Sequence, residues 1–467
     1  MGEATVAAGS TLRGALSVKH VAPKLDDAVY ERNFADINPR LPETAAVAEA
    51  SRCLFCYDAP CIKACPTEID IPSFIKKIVT GNLRGSARTI LEANVLGHSC
   101  ARVCPVEALC EGACVLNQEH KRPVMIGALQ RVATDHVLDR GIRVLKAGAP
   151  NRRRVALIGA GPASFGCAAE LARLGYACRI YEKRAVPGGL NTHGIAAYKT
   201  RASDALREVE LVRSLGVEIR DGVEVGRQVS LEQLRGESDA LFLGIGLGAT
   251  ERLRLPGEDL PGVIDALGFI DRIKNEPFRR VDVGQTVVVI GAGNTSVDAA
   301  TQAKRLGAEN VLVVYRRGPE DVPAYHYEHE LAKSDGVTYV YYAAPVRFLG
   351  QDALEALECL RTEVVADAAG RRSVKAVAGS EFHIPCDMAI VAVGQQKAVD
   401  WLTRIFPGVA LDGGRLKVDG SGRTSLRGVY AGGDCVNGGK EVVNAVAEGK
   451  AAARAIDADL GQPRASA

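Results

Sequence analysis

Eight of the thirteen cysteines in this 467-residue chain lie close together in two groups of four. The first group follows the pattern C-x2-C-x4-C-x3-C-P, and the second follows C-x3-C-P-x4-C-x3-C. Thiolates three or four residues apart can converge on one metal centre, and eight of them can hold two iron–sulfur clusters. The groups are Cys53, Cys56, Cys61 and Cys65, then Cys100, Cys104, Cys110 and Cys114.

Zinc is the alternative ligand for these cysteines. Structural zinc sites usually pair two C-x2-C hooks across a spacer, whereas this chain has a single C-x2-C. Proline follows Cys65 and Cys104, as in bacterial ferredoxin loops, where the last cysteine of a run ligates the other cluster. The spacing therefore favours iron–sulfur clusters over zinc.

A helical domain must position these cysteines. Between the two groups, apolar residues recur at helical spacing, which predicts helices with cysteine loops at their ends. These apolar residues are Phe74, Ile75, Ile78, Val79, Ile90 and Leu91. The prediction places this domain over residues 41–148, after an N-terminal tail over residues 1–40.

Residues 153–184 form a complete strand–turn–helix–strand pattern, "RRVALIGAGPASFGCAAELARLGYACRIYEKR". Gly159 permits a tight turn, and Gly161 lets the backbone approach a pyrophosphate at the start of a helix. Ser164 stands where glycine or alanine is commoner. Glu182, 23 residues after Gly159, would accept hydrogen bonds from an adenosine ribose. The unit predicts a dinucleotide-binding domain.

The same pattern recurs over residues 285–318, with Gly291, Gly293 and Ser296 in the turn. Arg316 and Arg317 stand where the first unit has its acid. Guanidinium groups suit a 2′-phosphate, which favours NADP(H) over NAD(H), although two solvated arginines remain an alternative.

A third glycine-rich segment, "GVYAGGDCVNGGKEVVNAVAEGKAAARAI" (428–456), predicts a strand, the turn Gly432–Asp434, and a helix beginning near Glu441. Such a unit could place Asp434 and helix amides against a flavin; the alternative is a surface turn. The segment 187–190, "PGGL", would lie near the same flavin.

Together these units predict a nested α/β chain with two Rossmann-like nucleotide-binding domains. FAD would bind the domain formed by residues 150–280 and 392–467, and NAD(P)H the domain 281–391 inserted in it. The predicted cofactor-binding residues are Gly159, Gly161, Pro162, Ala163, Glu182, Lys183, Gly189, Leu190, Gly291, Gly293, Asn294, Thr295, Arg316, Arg317, Gly433 and Asp434.

Composition excludes several classes of function. The net charge of +2 and the lack of like-charge runs argue against nucleic-acid and membrane-surface partners. No apolar stretch reaches the roughly 18 residues that span a bilayer. The N-terminus lacks the order of a signal peptide, so we expect a cytoplasmic protein.

The order of these units resembles the glutamate synthase small-subunit family of iron–sulfur flavoproteins, which have a glutathione-reductase-like fold. Within it, "DAPCIKACPTEIDIPSFI", "ARVCPVEALCEGAC" and "IGALQRVATD" are most similar to dihydropyrimidine dehydrogenase. The segment "HGIAAYK" (193–199) resembles the flavin/NAD(P)H subunit of the bacterial form, because Ala196 and Lys199 replace the proline and arginine of the glutamate synthase pattern.

This resemblance implies a ligand set that spacing alone does not suggest. One 4Fe–4S cluster would be held by Cys53, Cys56, Cys61 and Cys114. The other would be held by Cys65, Cys104, Cys110 and Gln130, and Cys100 would be a bystander. On spacing alone, Cys100 remains the competitor of Gln130.

The resemblance also implies an electron-input subunit. It would oxidise NAD(P)H and pass electrons to a partner FMN subunit that reduces uracil or thymine, because no stretch remains here for a barrel of about 250 residues. Hydride transfer between stacked rings needs positioning, so we predict no catalytic acid or base. The alternatives are a glutamate synthase small subunit, a related NAD(P)H-dependent reductase, and a degenerate scaffold module.

Two further features of the sequence bear on function. A disulfide reductase is disfavoured because no two cysteines beyond Cys114 lie within ten residues of each other. His326 and His329 have the spacing of one helical turn and could bind a metal, but we expect them to lie on a solvated helix face.

Overall fold

The computed structural model describes residues 18–366 and 372–461. These residues form two compact units. Unit 1 comprises the described residues up to Asn33 together with Thr250–Gly394, and unit 2 comprises Phe34–Ala249 together with the described residues from Gln395 onward. Of the segment 1–40 predicted as a tail, residues 1–17 lie outside the described residues. The remainder contains a helix on which Tyr30 is buried, with its ring 5.8 Å from that of Phe278.

Helices occur in both units and are numbered in chain order. They are α1 (Asp27–Asn33), α2 (Glu43–Ala50), α3 (Pro60–Ala64), α4 (Ile71–Val79), α5 (Leu83–Ala93), α6 (Gly97–Val103), α7 (Ile126–Asp139), α8 (Pro162–Arg173), α9 (Leu190–His193), α10 (Ala202–Arg213), α11 (Leu231–Glu237), α12 (Ala266–Asn275), α13 (Asn294–Arg305), α14 (His326–Ser334), α15 (Val399–Ile405), α16 (Asp434–Asn437) and α17 (Val442–Gly461).

The strands complete the secondary structure. They are β1 (Arg154–Ile158), β2 (Ala177–Glu182), β3 (Glu218–Asp221), β4 (Ala240–Leu243), β5 (Val263–Asp265), β6 (Thr286–Ile290), β7 (Asn310–Tyr315), β8 (Thr338–Tyr341), β9 (Ala343–Leu349), β10 (Ala356–Ala366), β11 (Arg372–Ala376), β12 (Phe382–Pro385), β13 (Met388–Val391), β14 (Leu411–Asp412), β15 (Arg415–Leu416) and β16 (Val429–Ala431).

The cysteine-rich part of unit 2 is helical, as the sequence predicts. Local signals start its helices: the Asp70 side chain accepts a hydrogen bond from the Ser73 amide at α4, and Asn82 does the same for Gly85 at α5. The apolar face of α4 is fully buried, including Phe74. The cysteines therefore sit on a packed scaffold.

The rest of unit 2 is built on a parallel sheet with the strand order β16-β4-β1-β2-β3. Helices α8 and α17 pack together against it, and the absence of a side chain at Gly449 permits this, because a Cβ there would lie 2.0 Å from the Ala163 carbonyl oxygen. Buried residues of the cysteine-rich helices and of this sheet belong to one continuous hydrophobic core. Parallel strands with helical crossovers bring their carboxyl ends to one edge, where ligands bind.

Unit 1 contains a second parallel sheet, with the order β5-β13-β6-β7-β8. Residues 250–280, which the prediction gave to the FAD-binding domain, belong to this unit, because β5 pairs in parallel with β13. Unit 1 also has an antiparallel sheet of β9, β10, β11 and β12, which the sequence patterns did not predict.

The predicted fold class is confirmed: a helical cysteine-rich part precedes two Rossmann-like parts, one interrupting the other along the chain. The finer domain limits stay a prediction. Within the described residues, none of the helices combines the length and the apolar character needed to cross a lipid bilayer.

Candidate functional site

Four cysteines from both sequence groups line one cavity in unit 2. Cys53, Cys56 and Cys61 come from the first group, and Cys114 comes from the end of the second. The remainder of the lining is apolar and includes residues of α4 and of the segment before α7. The structure thus brings together the four residues that the family resemblance implied for one cluster.

A second cavity in unit 2 is lined by the other four cysteines together with Gln130. Cys65 comes from the first sequence group, and Cys100, Cys104 and Cys110 from the second. Apolar residues, among them Ile69, complete the wall. Both Cys100 and Gln130 therefore reach the second cavity.

Hydrogen bonds distinguish these two competing ligands. The Gln130 amide nitrogen donates to the Gly97 carbonyl oxygen at 2.6 Å, and this bond leaves the side-chain carbonyl oxygen of Gln130 able to serve as a ligand. The Cys100 sulfur accepts a hydrogen bond from the Asn94 side-chain nitrogen at 3.2 Å. Which of the two completes a second cluster stays a prediction.

The arrangement of the sulfurs fits a cluster better than a single zinc ion. Around one tetrahedral zinc, with Zn–S distances of about 2.3 Å, sulfurs lie roughly 3.8 Å apart. Among the described residues, no three cysteine sulfurs lie within 4.8 Å of one another. Cavities with four dispersed sulfur donors suit a larger iron–sulfur core.

Burial makes thiolates in these cavities costly without a metal. Burial, together with the neighbouring thiols Cys53 and Cys114, raises the pKa of Cys61 to about 12. Burial likewise raises the pKa of Cys110. A positively charged metal centre would offset this cost, because coordinating thiols are deprotonated by the metal.

The first glycine turn lies at the carboxyl end of β1. Gly159 has a positive φ of 90°, and a Cβ there would lie 2.5 Å from the Gly244 carbonyl oxygen, so the fold itself requires glycine. Gly161 differs, because a Cβ added there would lie 3.9 Å from the Gly244 carbonyl oxygen, which is the nearest atom. This open space at Gly161, before the first turn of α8, would fit the pyrophosphate that the sequence predicts there.

Glu182, at the end of β2, is buried beside this turn. Its carboxylate accepts hydrogen bonds from the Ala160 amide at 2.7 Å and from the Arg184 amide at 2.8 Å. The acid predicted to bind a ribose therefore also holds the turn, and its remaining lone pairs can accept ribose hydroxyls. The next residue, Lys183, is exposed.

The other predicted flavin segments converge on this turn. The Gly188 amide donates to the Ala160 carbonyl oxygen at 2.8 Å, and a Cβ on Gly189 would lie 2.9 Å from the Cα of Gly161. A Cβ on Gly433 would lie 2.9 Å from that of Ala163.

These approaches place Gly189 and Gly433 against the start of α8, next to Pro162 and Ala163, and Leu190 and Asp434 follow them directly in the chain. Sequence reasoning missed Glu448 of α17, whose carboxylate accepts the Gly433 amide at 2.7 Å. The sequence gives no sign that a single glutamate on a helix holds a glycine turn elsewhere in the chain.

The loop between Cys104 and Cys110 lies within electrostatic reach of the segment that precedes α17. Burial raises the pKa of Glu107, in the loop between Cys104 and Cys110, and the charge of Glu441 raises it further. Glu441 immediately precedes α17. The loop that carries Cys104 and Cys110 and the segment predicted to bind the flavin are therefore within electrostatic reach of each other in unit 2.

Unit 1 repeats the turn at the carboxyl end of β6. Gly291 has a φ of 118°, and a Cβ there would lie 2.4 Å from the Ala392 carbonyl oxygen, whereas a Cβ on Gly293 would meet nothing within 4 Å. Asn294 and Thr295 begin α13 directly after it. The second turn has the same open cradle as the first.

Arg316 and Arg317 follow β7 as predicted. The Arg316 carbonyl oxygen accepts from the Thr362 hydroxyl at 2.8 Å, and that of Arg317 accepts from the Tyr342 amide at 3.1 Å. Arg316 is exposed, and neither guanidinium forms an ion pair with a residue in the described part of the chain. The backbone is fixed while the charged ends are available to a ligand.

The pair of histidines lies on α14. Among the described residues, His326, His329 and Glu330 are the one group of three potential metal ligands with atoms within 4.8 Å of one another. His329 Nε2 shares a hydrogen bond with the Tyr341 hydroxyl at 3.0 Å, and Glu330 pairs with Lys333 at 2.9 Å. His326 is exposed, as expected for a solvated helix face, whereas His329 is buried, so the expectation holds for one of the two histidines; we assign no metal to the pair.

Two family descriptions match the chain. The description "dihydropyrimidine dehydrogenase domain II, 4Fe-4S cluster" matches residues 30–142, which contain both cysteine cavities. The description "pyridine nucleotide-disulphide oxidoreductase" matches residues 153–449, which contain both glycine turns.

Relatives match along most of their length. The glutamate synthase [NADPH] small chain of Escherichia coli is 34% identical over 452 residues, covering 93% of this chain and 95% of that protein. The NAD-dependent dihydropyrimidine dehydrogenase subunit PreT of the same species is 34% identical over 428 residues, covering 91% and 97%. Mycobacterium tuberculosis FprA in complex with NADPH shares the fold, with a TM-score of 0.55 and 22% identity over 66% of this chain and 85% of that one.

Proposed function

Because the chain belongs to the glutamate synthase small-chain family, which also includes dihydropyrimidine dehydrogenase subunits, we propose that it is an electron-input subunit. In this role it oxidises NAD(P)H at FAD and delivers electrons through two 4Fe–4S clusters to a partner chain. The observation that carries the proposal is the presence of two cysteine-lined cavities and one glycine turn in unit 2, with a second glycine turn in unit 1 of the same chain.

When bound, FAD would exchange a hydride with the nicotinamide, and the clusters would carry single electrons. The chain's own residues bind and orient these groups. Gly161 and the first amides of α8 would hold the FAD pyrophosphate, and Glu182 would hold its ribose. Gly293 and α13 would do the same for the nicotinamide nucleotide, with Arg316 and Arg317 at a 2′-phosphate.

The cysteine ligands are proposed in two sets. One cluster would be held by Cys53, Cys56, Cys61 and Cys114, which share the first cavity. The other would be held by Cys65, Cys104 and Cys110, with Gln130 as the fourth ligand and Cys100 as its competitor.

We propose a partner subunit that contains FMN and reduces uracil or thymine. The segment 193–199 supports this choice through Ala196 and Lys199, which are both buried in unit 2 and depart from the glutamate synthase pattern. The second candidate is a glutamate synthase small subunit, favoured by the match to the Escherichia coli small chain over 95% of its length.

The test is to purify the chain without oxygen, first alone and then with each partner. We expect FAD, about eight irons and eight acid-labile sulfides per chain, and NAD(P)H oxidation with artificial acceptors. Alone, the chain should leave uracil unchanged. Uracil reduction only with an FMN-containing partner would support the first candidate, and glutamate formation with a large amidotransferase would support the second.

Three outcomes would contradict the proposal. Uracil reduction by the chain alone would overturn the division of labour between two subunits. About four irons per chain would remove one cluster. A colourless protein without flavin would leave only a scaffold role.

A further inference from the structure

The helix that carries Cys100 is capped by a carboxylate from a distant part of unit 2. Helix α6 begins after Leu96, whose side chain cannot accept a hydrogen bond from the first-turn amides. The amides of His98 and Ser99 instead donate to Glu208 Oε1, each at 2.9 Å, and the Ser99 hydroxyl donates to Oε2. Glu208 is fully buried and lies on α10, a helix between β2 and β3 of the parallel sheet in unit 2 along the chain.

The carboxyl end of the preceding helix, α5, is capped by the side chain of Lys450, which lies on α17 of the same unit. Helix α5 ends at Ala93, and its last carbonyl oxygens need donors. The Lys450 ammonium donates to the Ala93 carbonyl oxygen at 2.5 Å and to that of Glu92 at 3.3 Å. Lys450 lies on α17, and a positive charge at a helix carboxyl end is favourable.

Between these two caps lies a turn that reaches the second cavity. Asn94 is fully buried; its side-chain oxygen accepts the Leu96 amide at 3.0 Å, and its nitrogen donates to the Cys100 sulfur at 3.2 Å. The carbonyl oxygen of Gly97, at the start of α6, accepts from Gln130. Both competing ligands of the second cavity are thus hydrogen-bonded to the segment that Glu208 and Lys450 hold.

We propose that Glu208 and Lys450 are positioning residues for the second cluster, an inference that rests on the proposed function. Their opposite charges, supplied from the FAD-binding part of unit 2, fix the α5–α6 turn and shift the reduction potential of that cluster in opposite directions.

The sign of each shift follows from electrostatics. A negative charge disfavours the addition of an electron nearby, and a positive charge favours it, most strongly where water is excluded. Burial lowers the pKa of the Lys450 ammonium, whereas Glu170 and Cys65 raise it, so Lys450 lies within electrostatic reach of a cysteine that lines the second cavity. Burial raises the pKa of Glu208, whereas the nearby charges of His98 and Arg102 and the hydrogen bonds from Ser99 lower it and so favour the carboxylate.

The experiment is a redox titration of the purified holoprotein, followed by electron paramagnetic resonance. Glu208→Gln should raise the midpoint potential of one cluster signal, and Lys450→Met should lower the potential of that same signal. The signal of the other cluster should stay where it is in both variants. Loss of a helix cap alone would not produce shifts of opposite sign.

Matched controls lie on the same two helices. Glu210→Gln removes an exposed carboxylate of α10 that pairs with Arg213, and Arg454→Gln removes an exposed cation of α17. Neither control should move either potential. As a second readout, Glu208→Ala should lose iron from one cluster on gentle warming, whereas Glu210→Ala should not.

Several outcomes would overturn the proposal. It fails if the midpoint potential is unchanged in both Glu208→Gln and Lys450→Met, if it shifts in the same direction in both, or if the shifts equal those of the control variants. If Glu208→Gln yields no folded protein, the proposal is decided by whether Lys450→Met lowers the midpoint potential of one cluster signal while the control Arg454→Gln leaves it unchanged. A wild-type protein with a single cluster signal would contradict the proposed function itself, whereas two wild-type signals with unmoved variants would contradict only this inference.

Discussion

The two glycine turns, one in each unit, share a skeleton and differ at the end of the second strand. In both, the first glycine has a positive φ and packs against a carbonyl oxygen, and the second faces open space. In unit 2 the second strand, β2, ends at Glu182, which is hydrogen-bonded to the turn itself. In unit 1 the second strand, β7, is followed by Arg316 and Arg317, whose guanidinium groups form no ion pair with the described residues. From this comparison we expect the turn to supply phosphate binding and the strand end to select the nucleotide.

The first glycines should be the least tolerant positions. Gly159→Ala and Gly291→Ala place a Cβ against backbone in a left-handed conformation, so each should cost about 3 kcal/mol or more of stability. Denaturant unfolding with probes for each unit checks this. Normal stability of either variant would show that the turns are not rigid.

The second glycines should separate cofactor binding from folding. Gly161→Ala should yield a folded chain that has lost FAD, because the added methyl group occupies the pyrophosphate cradle. Gly293→Ala should retain FAD but lose most NAD(P)H oxidation. Flavin absorbance and circular dichroism measure FAD content and folding, and turnover of NAD(P)H with an artificial acceptor measures the effect of Gly293→Ala. Equal loss of FAD in the two variants would break the assignment of one cofactor to each turn.

The arginines should decide between the nicotinamide nucleotides. Arg316→Ala should raise the KM for NADPH roughly tenfold or more, because a charge-assisted bond to the 2′-phosphate is lost. The kcat and the KM for NADH should stay unchanged. Steady-state kinetics with both nucleotides measure this, and Arg372→Ala, an exposed arginine paired with Asp321, is the control. An unchanged NADPH KM would favour the solvated-arginine alternative.

The smallest expected effect is on the free energy of unfolding, and it concerns the serines in the two turns. The Ser296 hydroxyl donates to the Gly291 carbonyl oxygen at 2.5 Å, so Ser296→Ala should cost about 1 kcal/mol. The buried Ser164 hydroxyl oxygen has no hydrogen-bond partner among the described residues, so Ser164→Ala should be neutral or slightly stabilising. Thermal unfolding measures both. A larger cost at Ser164 would contradict the comparison.

Local patterns in the sequence predicted the two turns and their sheets, because glycine spacing and apolar strands act over short distances. They could not predict how the cysteines divide between the cavities. Cys114 joins Cys53 across a long stretch of chain, which depends on how the helices pack. Gln130 was found only through family resemblance, because an amide on a buried helix face carries no spacing signal.

Two other features were outside the reach of sequence reasoning. Glu208 caps a helix more than 100 residues earlier, and such a contact exists only in the folded chain. Strand β11 of the unpredicted antiparallel sheet is exposed or only half-buried along its length, so it lacks the apolar alternation that would reveal it.

The most direct test of the proposed electron path is to add NADPH or NADH, without oxygen, to the purified chain containing its cofactors and to record absorbance and paramagnetic resonance together. We predict that flavin absorbance falls and that a reduced iron–sulfur signal appears in the same sample, with no partner present. Flavin bleaching without any cluster signal, or no bleaching with either nucleotide, would contradict this path.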